Sequence, residues 1–338
     1  MPKILIIGPN FHNFNISIAR AFEQLGWEAL IEGYDTPIHP FRGFVKWRHK
    51  FSQNKAKFKE QQKNKYKLFI EQRFIEYDPD FVFILNGDIL FSETLDFFRG
   101  KCKVALWLFD NVMNISPSIN HVDHVDSCFC YEQENVIFYE KSGRKTYFLP
   151  QAYDPSIYYP KEKQEKDIDI LFVGNLYISQ KRIQYIRKVV QAFTNKKMVV
   201  IGEYKPWYKN PLKWLLREHR DIYTNRNIHY LQVNDYYNRA RVVLNIHHEQ
   251  QKDGANPKVF EISGAGAYQI CDANPYIESL FPNGEVGLYR DEKELIALID
   301  NALKNDQSEN ANKAHEIVIQ NHTFLHRVKE MLKIMNIN

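Results

Sequence analysis

Cysteine is scarce in this chain. Four occur among 338 residues, Cys102, Cys128, Cys130 and Cys271, and only Cys128 and Cys130 lie close together, as C-x-C. That spacing writes neither a disulfide framework nor a paired C-x-x-C zinc site, so a reducing, cytoplasmic setting is expected. Long apolar runs are missing too: none approaches the roughly 20 residues needed to span a bilayer. Met1 to Gly8 reads directly as a strand rather than as a charged-then-apolar leader. Nor does one sign of charge dominate. Lys and Arg number 45 against 41 Asp and Glu, a net +4, too mild for a dedicated nucleic-acid binder, and no RNA- or DNA-binding motif accompanies the basic stretches. The phosphate fingerprint G-x-G-x-x-G and the P-loop are both absent, so ordinary dinucleotide and ATP chemistry loses ground.

What is present supports a folded enzyme-sized chain. Hydrophobic residues make up 44% and aromatics 14%, enough to bury a core in two domains. "KILIIGPN" is a β-branched run ending at Gly8, followed by an amphipathic stretch from Asn15 to Leu25 that Gly26 stops. "FVFILNG", "VALWLFD" and "SCFCYEQ" then alternate with helical stretches. The Pro-containing, charge-terminated segment from about Pro150 to Asp167 reads as a linker. Beyond it "IDILFVGN" repeats the opening pattern, a helix is predicted over Lys181 to Phe193, and "MVVIGEY", "RVVLNIH" and "AYQICD" supply further strands. The rhythm predicts an α/β chain of two doubly wound, Rossmann-like domains facing across a cleft, spanning residues 1–150 and 151–325, with 326–338 a C-terminal helix packing back on the first.

Sheets of this kind bind ligands beyond the carboxyl ends of their strands. Three loops qualify: Gly8 to Asn13, Gly174 to Lys181, and His247 to Asn256. The last leads into "DGANPKVFEISGAGAYQICD", Asp253 to Asp272, where Asn256 followed by Pro257 is a helix-start signal. A helix beginning there points free amides and a positive dipole end at an anion. Lys258 adds a full charge. Glu261 lies too far along to cap and is suited to accepting from ribose hydroxyls, while Asp253, in the preceding loop, is suited to hydroxyls of a second sugar. An anion site flanked by two hydroxyl acceptors fits a sugar-diphosphate-nucleoside.

The residues also carry a family resemblance. "NPKVFEISGAGAYQICD", "FPNGEVGLYRDEKEL" and "NHTFLHRVKEML" resemble the C-terminal half of GT-B glycosyltransferases of the spore-maturation CgeB group, and "FLPQAYDPSIYYP" resembles their interdomain passage. The Asp253-to-Glu261 spacing is similar to the E-x7-E pattern of retaining members, with Asp in the first place. The resemblance implies Glu261 on the nucleotide ribose, Asp253 on the donor sugar, and Lys181 or Arg182, in "VGNLYISQKR", on the donor diphosphate. Asn256, Gly174, Gly8 and His247 complete the donor-binding set. Histidines at strand ends, His247 and His248 here, are also common structural residues. Asp110, ending "VALWLFDN", is the N-terminal candidate for a catalytic base or acceptor contact.

Competing readings come from the same residues. His121, His124, Cys128 and Cys130 have no standard zinc spacing and read better as buried thiols beside unrelated histidines. The pairs Asp78/Asp80 and Asp167/Asp169 precede their strands and so face the wrong edge for a metal-dependent transferase. The function expected is transfer of a sugar, of hexose type, from a nucleotide-diphosphate donor to a hydroxyl acceptor. Retention of configuration is expected, in bacterial surface glycan or glycoconjugate synthesis, with no metal and no other cofactor. The alternative is a non-catalytic sugar-nucleotide or glycan-binding subunit. Partners follow: a nucleotide sugar, a glycan, lipid-linked or protein acceptor, no nucleic acid, and an anionic membrane surface. The last rests on Arg42 to Lys67, where ten Lys/Arg meet the single acid Glu60 among interleaved aromatics, and on the similar "KPWYKNPLKWLLREHR". The expectation is a cytoplasmic protein peripheral at the inner face of the cytoplasmic membrane, with a solvated basic helix as the competing reading.

Overall fold

The computed structural model describes residues 1–9, 13–34, 55–111, 119–176, 179–202, 228–249 and 251–337, with backbone alone for 55–59. The basic stretches 42–54 and 205–220 lie outside the described residues. The chain divides into two compact units, Met1–Pro150 with Phe324–Asn338, and Gln151–Thr323. No helix among the described residues is long and apolar enough to cross a membrane.

The first unit is a six-stranded, wholly parallel sheet. Its strands are β1 (Lys3–Gly8), β2 (Glu28–Gly33), β3 (Phe81–Leu85), β4 (Lys103–Leu108), β5 (Ser127–Cys130) and β6 (Tyr147–Phe148), in the order β2-β1-β3-β4-β5-β6. Ile4 to Ile7 and Phe81 to Leu85 are buried on both faces, which is why these strands read as continuous apolar runs rather than as alternating ones. Helices α1 (Phe14–Glu23), α2 (Lys55–Tyr77), α3 (Ser92–Arg99) and α4 (Gln133–Glu140) make the crossovers. The order reverses between β1 and β3, and there Gly8 has no room for a side chain: a Cβ would stand 2.5 Å from Asn15 Oδ1 and 2.8 Å from Leu85 Cβ. The last helix, Phe324–Ile334, belongs to this unit. Phe324 packs against Phe14, with ring centroids 6.1 Å apart, and the buried Arg327 donates to the Pro150 carbonyl at 2.7 Å.

The second unit is a five-stranded parallel sheet of β7 (Ile168–Val173), β8 (Met198–Ile201), β9 (Ala240–Asn245), β10 (Gln269–Asp272) and β11 (Gly287–Tyr289), in the order β11-β10-β9-β7-β8. Its helices are α5 (Gln180–Ala192), α6 (Tyr230–Arg239), α7 (Pro257–Gly264), α8 (Pro275–Leu280), α9 (Glu292–Lys304) and α10 (Ser308–Asn321); the helix closing the first unit, Phe324–Ile334, is α11. The period-2 geometry of strands sends Leu171, Val243 and Cys271 to one core with Val259, Phe260 and Ile262 of α7. It sends Ile170, Phe172, Leu244 and Ile270 to the other, with Ile183 and Ile186 of α5 and Leu295 and Ile299 of α9.

The segment after Pro150 corrects the reading of it as a linker. Tyr153, Ile157 and Tyr158 are buried in the α7-side core, the Tyr153 ring fills the space where a Cβ on Gly264 would stand, and Tyr159 exchanges backbone hydrogen bonds with the side chains of Asn234 and Asn238. Aromatic burial outweighs the loop-forming tendency of its prolines. The acid pairs sit at the amino edges in structural roles. Asp80 and Asp169 accept from the backbone amides of Lys3 and Lys197, and Asp167 takes a paired contact from Arg239. Cys128 and Cys130 are buried in β5, whereas His121 bonds the Gly87 carbonyl and His124 meets Asp96.

Candidate functional site

In the second unit the strand order reverses between β7 and β9, and the loops leaving their carboxyl ends diverge. The backbone comes together closely there. A Cβ on Gly202 would lie 2.2 Å from the Gly174 carbonyl oxygen, and Gly202 holds φ +134°, so only glycine fits. Lys258 stretches over the same place, its Cε 3.9 Å from where a Gly174 Cβ would be.

Two helix starts frame this edge. Ser179 caps α5, its Oγ accepting from Arg182 N at 3.1 Å, and the Glu249 carboxylate accepts from Lys181 N at 2.9 Å. Burial pushes the Glu249 carboxyl up, but the Lys181 amide and the Ser179 hydroxyl outweigh it and hold the group below its usual range. Asn256 caps α7, accepting from Val259 N at 3.2 Å, and its amide is gripped by Asn245 through two mutual bonds of 2.9 and 3.1 Å. The Asn-Pro signal thus becomes a fixed N-terminus at the end of β9. Asn274, the cap of α8, steadies the loop carrying Asp253 by donating to the Gly254 carbonyl at 2.8 Å.

The charges are unevenly matched. Arg182 donates from Nε to the Ile246 carbonyl at 2.7 Å and from Nη1 to the Asn175 carbonyl at 3.2 Å, tying the β9 and β7 loops together. Burial lowers its pKa. Burial lowers that of Lys258 as well; the charge of Glu261 opposes the shift and that of Arg182 adds to it. Two desolvated cations therefore act on one another, Lys258 offset by the charge of Glu261 and Arg182 by those of Asp272 and Glu249. Burial raises the pKa of Glu261, against the pull of Lys258 and of a hydrogen bond from the Tyr158 hydroxyl.

Behind these cations lies a second network. Asp272, at the end of β10, accepts on Oδ1 from His247 N at 2.9 Å and meets His247 Nδ1 at 2.7 Å. Its Oδ2 takes Lys181 Nζ at 2.8 Å. Burial works against the Asp272 charge, yet His247 and Lys181 hold the carboxyl far below its usual range. An ionised carboxylate only accepts, so Nδ1 carries the proton and Nε2 receives the Asn256 amide at 3.4 Å. His247 is buried and both ring nitrogens are engaged within the protein, so the structure gives it a supporting place rather than a ligand-facing one. His247, Cys271 and Asp272 also bring three ligand atoms within 4.8 Å of one another. Lys181 Nζ sits on that same carboxylate, a position hostile to a divalent cation.

The predicted residues thus fall into groups. Arg182, Lys258, Glu261 and Gly174 come together, with Asn256 at the adjoining cap and Asp253 on the loop before it. Lys181 turns to Asp272. Gly8 and Asp110 lie in the other unit, at the carboxyl ends of β1 and β4. There Asn86 holds the backbone amide of Phe109 at 2.7 Å and meets Asp110 Oδ2 at 3.4 Å. Desolvation raises the Asp110 pKa; Asp88 adds to this and Asn86 opposes it. Sequence reading missed Asp272, Tyr158, Asn245 and Glu249. Asp272 obeys the same strand-end rule that singled out Asp110, whereas Tyr158 was hidden in a presumed linker.

Comparison with known proteins accords with this geometry. Residues 181–333 match a family model described as glycosyl transferase-like. Sucrose-phosphate synthase from Thermosynechococcus elongatus superposes with a TM-score of 0.71 at 11% identity, covering 99% of this chain and 98% of that one. The chain has the GT-B glycosyltransferase fold. An α,α-trehalose-phosphate synthase (UDP-forming) from Burkholderia vietnamiensis gives 0.68 at 11% identity, covering 100% of both chains. Anabaena Alr3699/HepE, in complex with UDP and glucose, gives 0.68 at 12%, covering 99% of this chain and 100% of that one. No curated protein sequence matches. At these identities the GT-B likeness is one of fold, and the chemistry rests on the chain's own residues.

Proposed function

We propose that this GT-B chain transfers a sugar, of hexose type, from a nucleotide-diphosphate donor to a hydroxyl acceptor with retention of configuration, as a member of the CgeB-like group. The observation that carries the reading is the Arg182–Lys258 pair. Two partly buried cations beside a capped helix start and a strand-order reversal, each with its pKa lowered by desolvation despite the neighbouring carboxylates, suit a diphosphate. UDP is the nucleotide favoured by the fold's neighbours, one of which holds UDP and glucose. Glu261 accepts from the ribose hydroxyls and Asp253 from those of the donor sugar; Gly174 lets the backbone approach the phosphates.

In the reaction the bond from the anomeric carbon to the diphosphate oxygen breaks and a bond to the acceptor oxygen forms. The acceptor's proton passes to the departing diphosphate on the same face. Arg182, Lys258 and the α7 amides stabilise that leaving charge without a metal ion. Gly8 and Asp110 belong to the acceptor-side unit. The acceptor is a glycan, lipid-linked or protein hydroxyl in surface glycan or glycoconjugate synthesis, and the basic stretches draw the protein to the inner, anionic face of the cytoplasmic membrane. The test is a panel of nucleotide sugars read by thermal shift and turnover. A cognate donor at about 100 times its dissociation constant adds roughly 2.7 kcal/mol of stability. Absence of both a shift and turnover across the panel overturns the proposal, and a shift without turnover reduces it to sugar-nucleotide binding.

A further inference from the structure

Lys181 and Arg182 are neighbours at one helix start, yet the structure puts them to different uses. Arg182 reaches the loops at the β7–β9 reversal. Lys181 reaches across to β10, where its Nζ meets Asp272 Oδ2 at 2.8 Å and lies over the Tyr185 ring, 5.9 Å from the centroid. From Asp272 the contacts continue without a break through His247 Nδ1 at 2.7 Å and His247 Nε2 to the Asn256 backbone amide at 3.4 Å. Asn256 is the residue whose side chain caps α7, the helix carrying Lys258 and Glu261.

We infer that Lys181, Asp272 and His247 form a positioning relay that sets the N-terminus of α7, and that Lys181 acts on the donor through Asp272 rather than by touching the diphosphate. The chemistry of each link is directional. Lys181 neutralises one carboxylate oxygen and pins it. The other oxygen, receiving both the His247 amide and its Nδ1–H, selects the tautomer whose Nε2 keeps a lone pair. Only that tautomer can accept the Asn256 amide; the other would set two N–H groups against each other. The relay thereby fixes the cap on which the geometry of the anion site depends, as outer hydrogen-bond partners fix the orientation of ligands at a metal centre. This inference rests on the donor-binding role proposed for α7.

The deciding experiment has two readouts. Nitrogen NMR of the ligand-free wild-type protein, with the His247 signal identified by its loss in His247→Gln, should show Nδ1 protonated and Nε2 bare. The reverse tautomer overturns the relay whatever the protein's substrate. Calorimetry with UDP then compares Lys181→Met in the wild-type and Asp272→Ala backgrounds. If Lys181 works through Asp272, its removal weakens UDP binding tenfold or more in the wild type and adds nothing once Asp272 is gone. An equal loss in both backgrounds overturns the relay and returns Lys181 to the diphosphate. A wild-type protein that shows the expected tautomer but binds no nucleoside diphosphate sinks the donor-site reading while leaving the relay's geometry standing.

Discussion

Arg182 Nε donates to the Ile246 carbonyl at 2.7 Å, so the guanidinium proposed to meet the donor also holds the end of β9. A lysine there would keep the charge but could not reach two carbonyls on diverging loops with one fork. Arg182→Lys should weaken nucleoside diphosphate binding about tenfold. Arg182→Met, which also removes a charge-assisted contact of about 1.5–3 kcal/mol, should approach the upper end of a roughly 10- to 150-fold loss. Calorimetric titration measures both, and unchanged affinity in Arg182→Met removes this residue from the site.

Lys258 makes a contrasting case because its effects on stability and binding should have opposite signs. Its charge is disfavoured by burial and by Arg182 in the ligand-free protein. Lys258→Met keeps the stem, discards the charge, and should raise the Tm while lowering nucleoside diphosphate affinity at least tenfold. Parallel thermal melts with and without ligand read both quantities. A variant that melts lower and binds as well as the parent would show that Lys258 is a structural cation satisfied by Glu261.

Glu261 leads to a pH dependence. Burial places its folded-state pKa above the ordinary 4.5, despite Lys258 and Tyr158. The folded protein therefore holds this proton more tightly than the unfolded chain, and the stabilisation is present below 4.5 and lost as pH rises through the raised value. Glu261→Gln has no proton to lose. Its stability relative to the parent should climb from about pH 4 toward neutrality, measured by denaturant unfolding across that range, and a flat difference would contradict the burial of this carboxyl. At neutral pH the same substitution should weaken nucleotide binding, since an amide accepts more weakly from ribose hydroxyls.

How much of this could be read beforehand divides along the range of the interactions. Asn256 and Pro257 announced a helix start because capping is decided within a few residues, and the observed α7 begins at Pro257. The end of β1 at Gly8, that of β7 just before Gly174 and that of β9 within a residue of Ile246 followed from local apolar runs. Asp272 obeys the same strand-end rule, but its role could not be read that way, because its partners Lys181 and His247 become neighbours only once β10 and α5 are set against β9, 91 and 25 residues away in sequence. Tyr158 is hidden by its prolines: Pro155 and Pro160 mark a loop locally, while the burial of Tyr158 between them depends on α6 and α7. The choice between Lys181 and Arg182 was likewise open in sequence, since adjacent residues at a helix start point in different directions and only the fold says where each arrives.

Gly202 offers a test of the backbone under the site. An alanine would need to stand 2.2 Å from the Gly174 carbonyl at a φ of +134°. The strain of such a conformation is about 1–3 kcal/mol before the steric contact is counted. Gly202→Ala should lower the Tm and, by displacing Gly174, weaken nucleoside diphosphate binding as well. A variant with parental stability would mean that the β7 and β8 loops do not meet here.

The stereochemical prediction reaches furthest: the product bond should keep the anomeric configuration of the donor. Inversion requires a base opposite the leaving group, positioned and partly deprotonated at working pH. The one strand-end acid proposed for that task, Asp110, has its pKa raised by desolvation and by Asp88, the direction that suits a general base, so it is the control for retention. In contrast, the best-formed charge cluster, Arg182, Lys258 and Glu261 beside the capped α7, suits the proposed diphosphate leaving group, which can itself accept the acceptor's proton. Asp110→Asn should retain measurable turnover and normal donor binding, while Arg182→Met and Lys258→Met weaken donor binding and lower turnover. Proton NMR of the first product formed from a donor of known configuration reads the outcome directly. An inverted product, together with complete inactivity of Asp110→Asn despite normal donor binding, would make Asp110 the base and overturn retention.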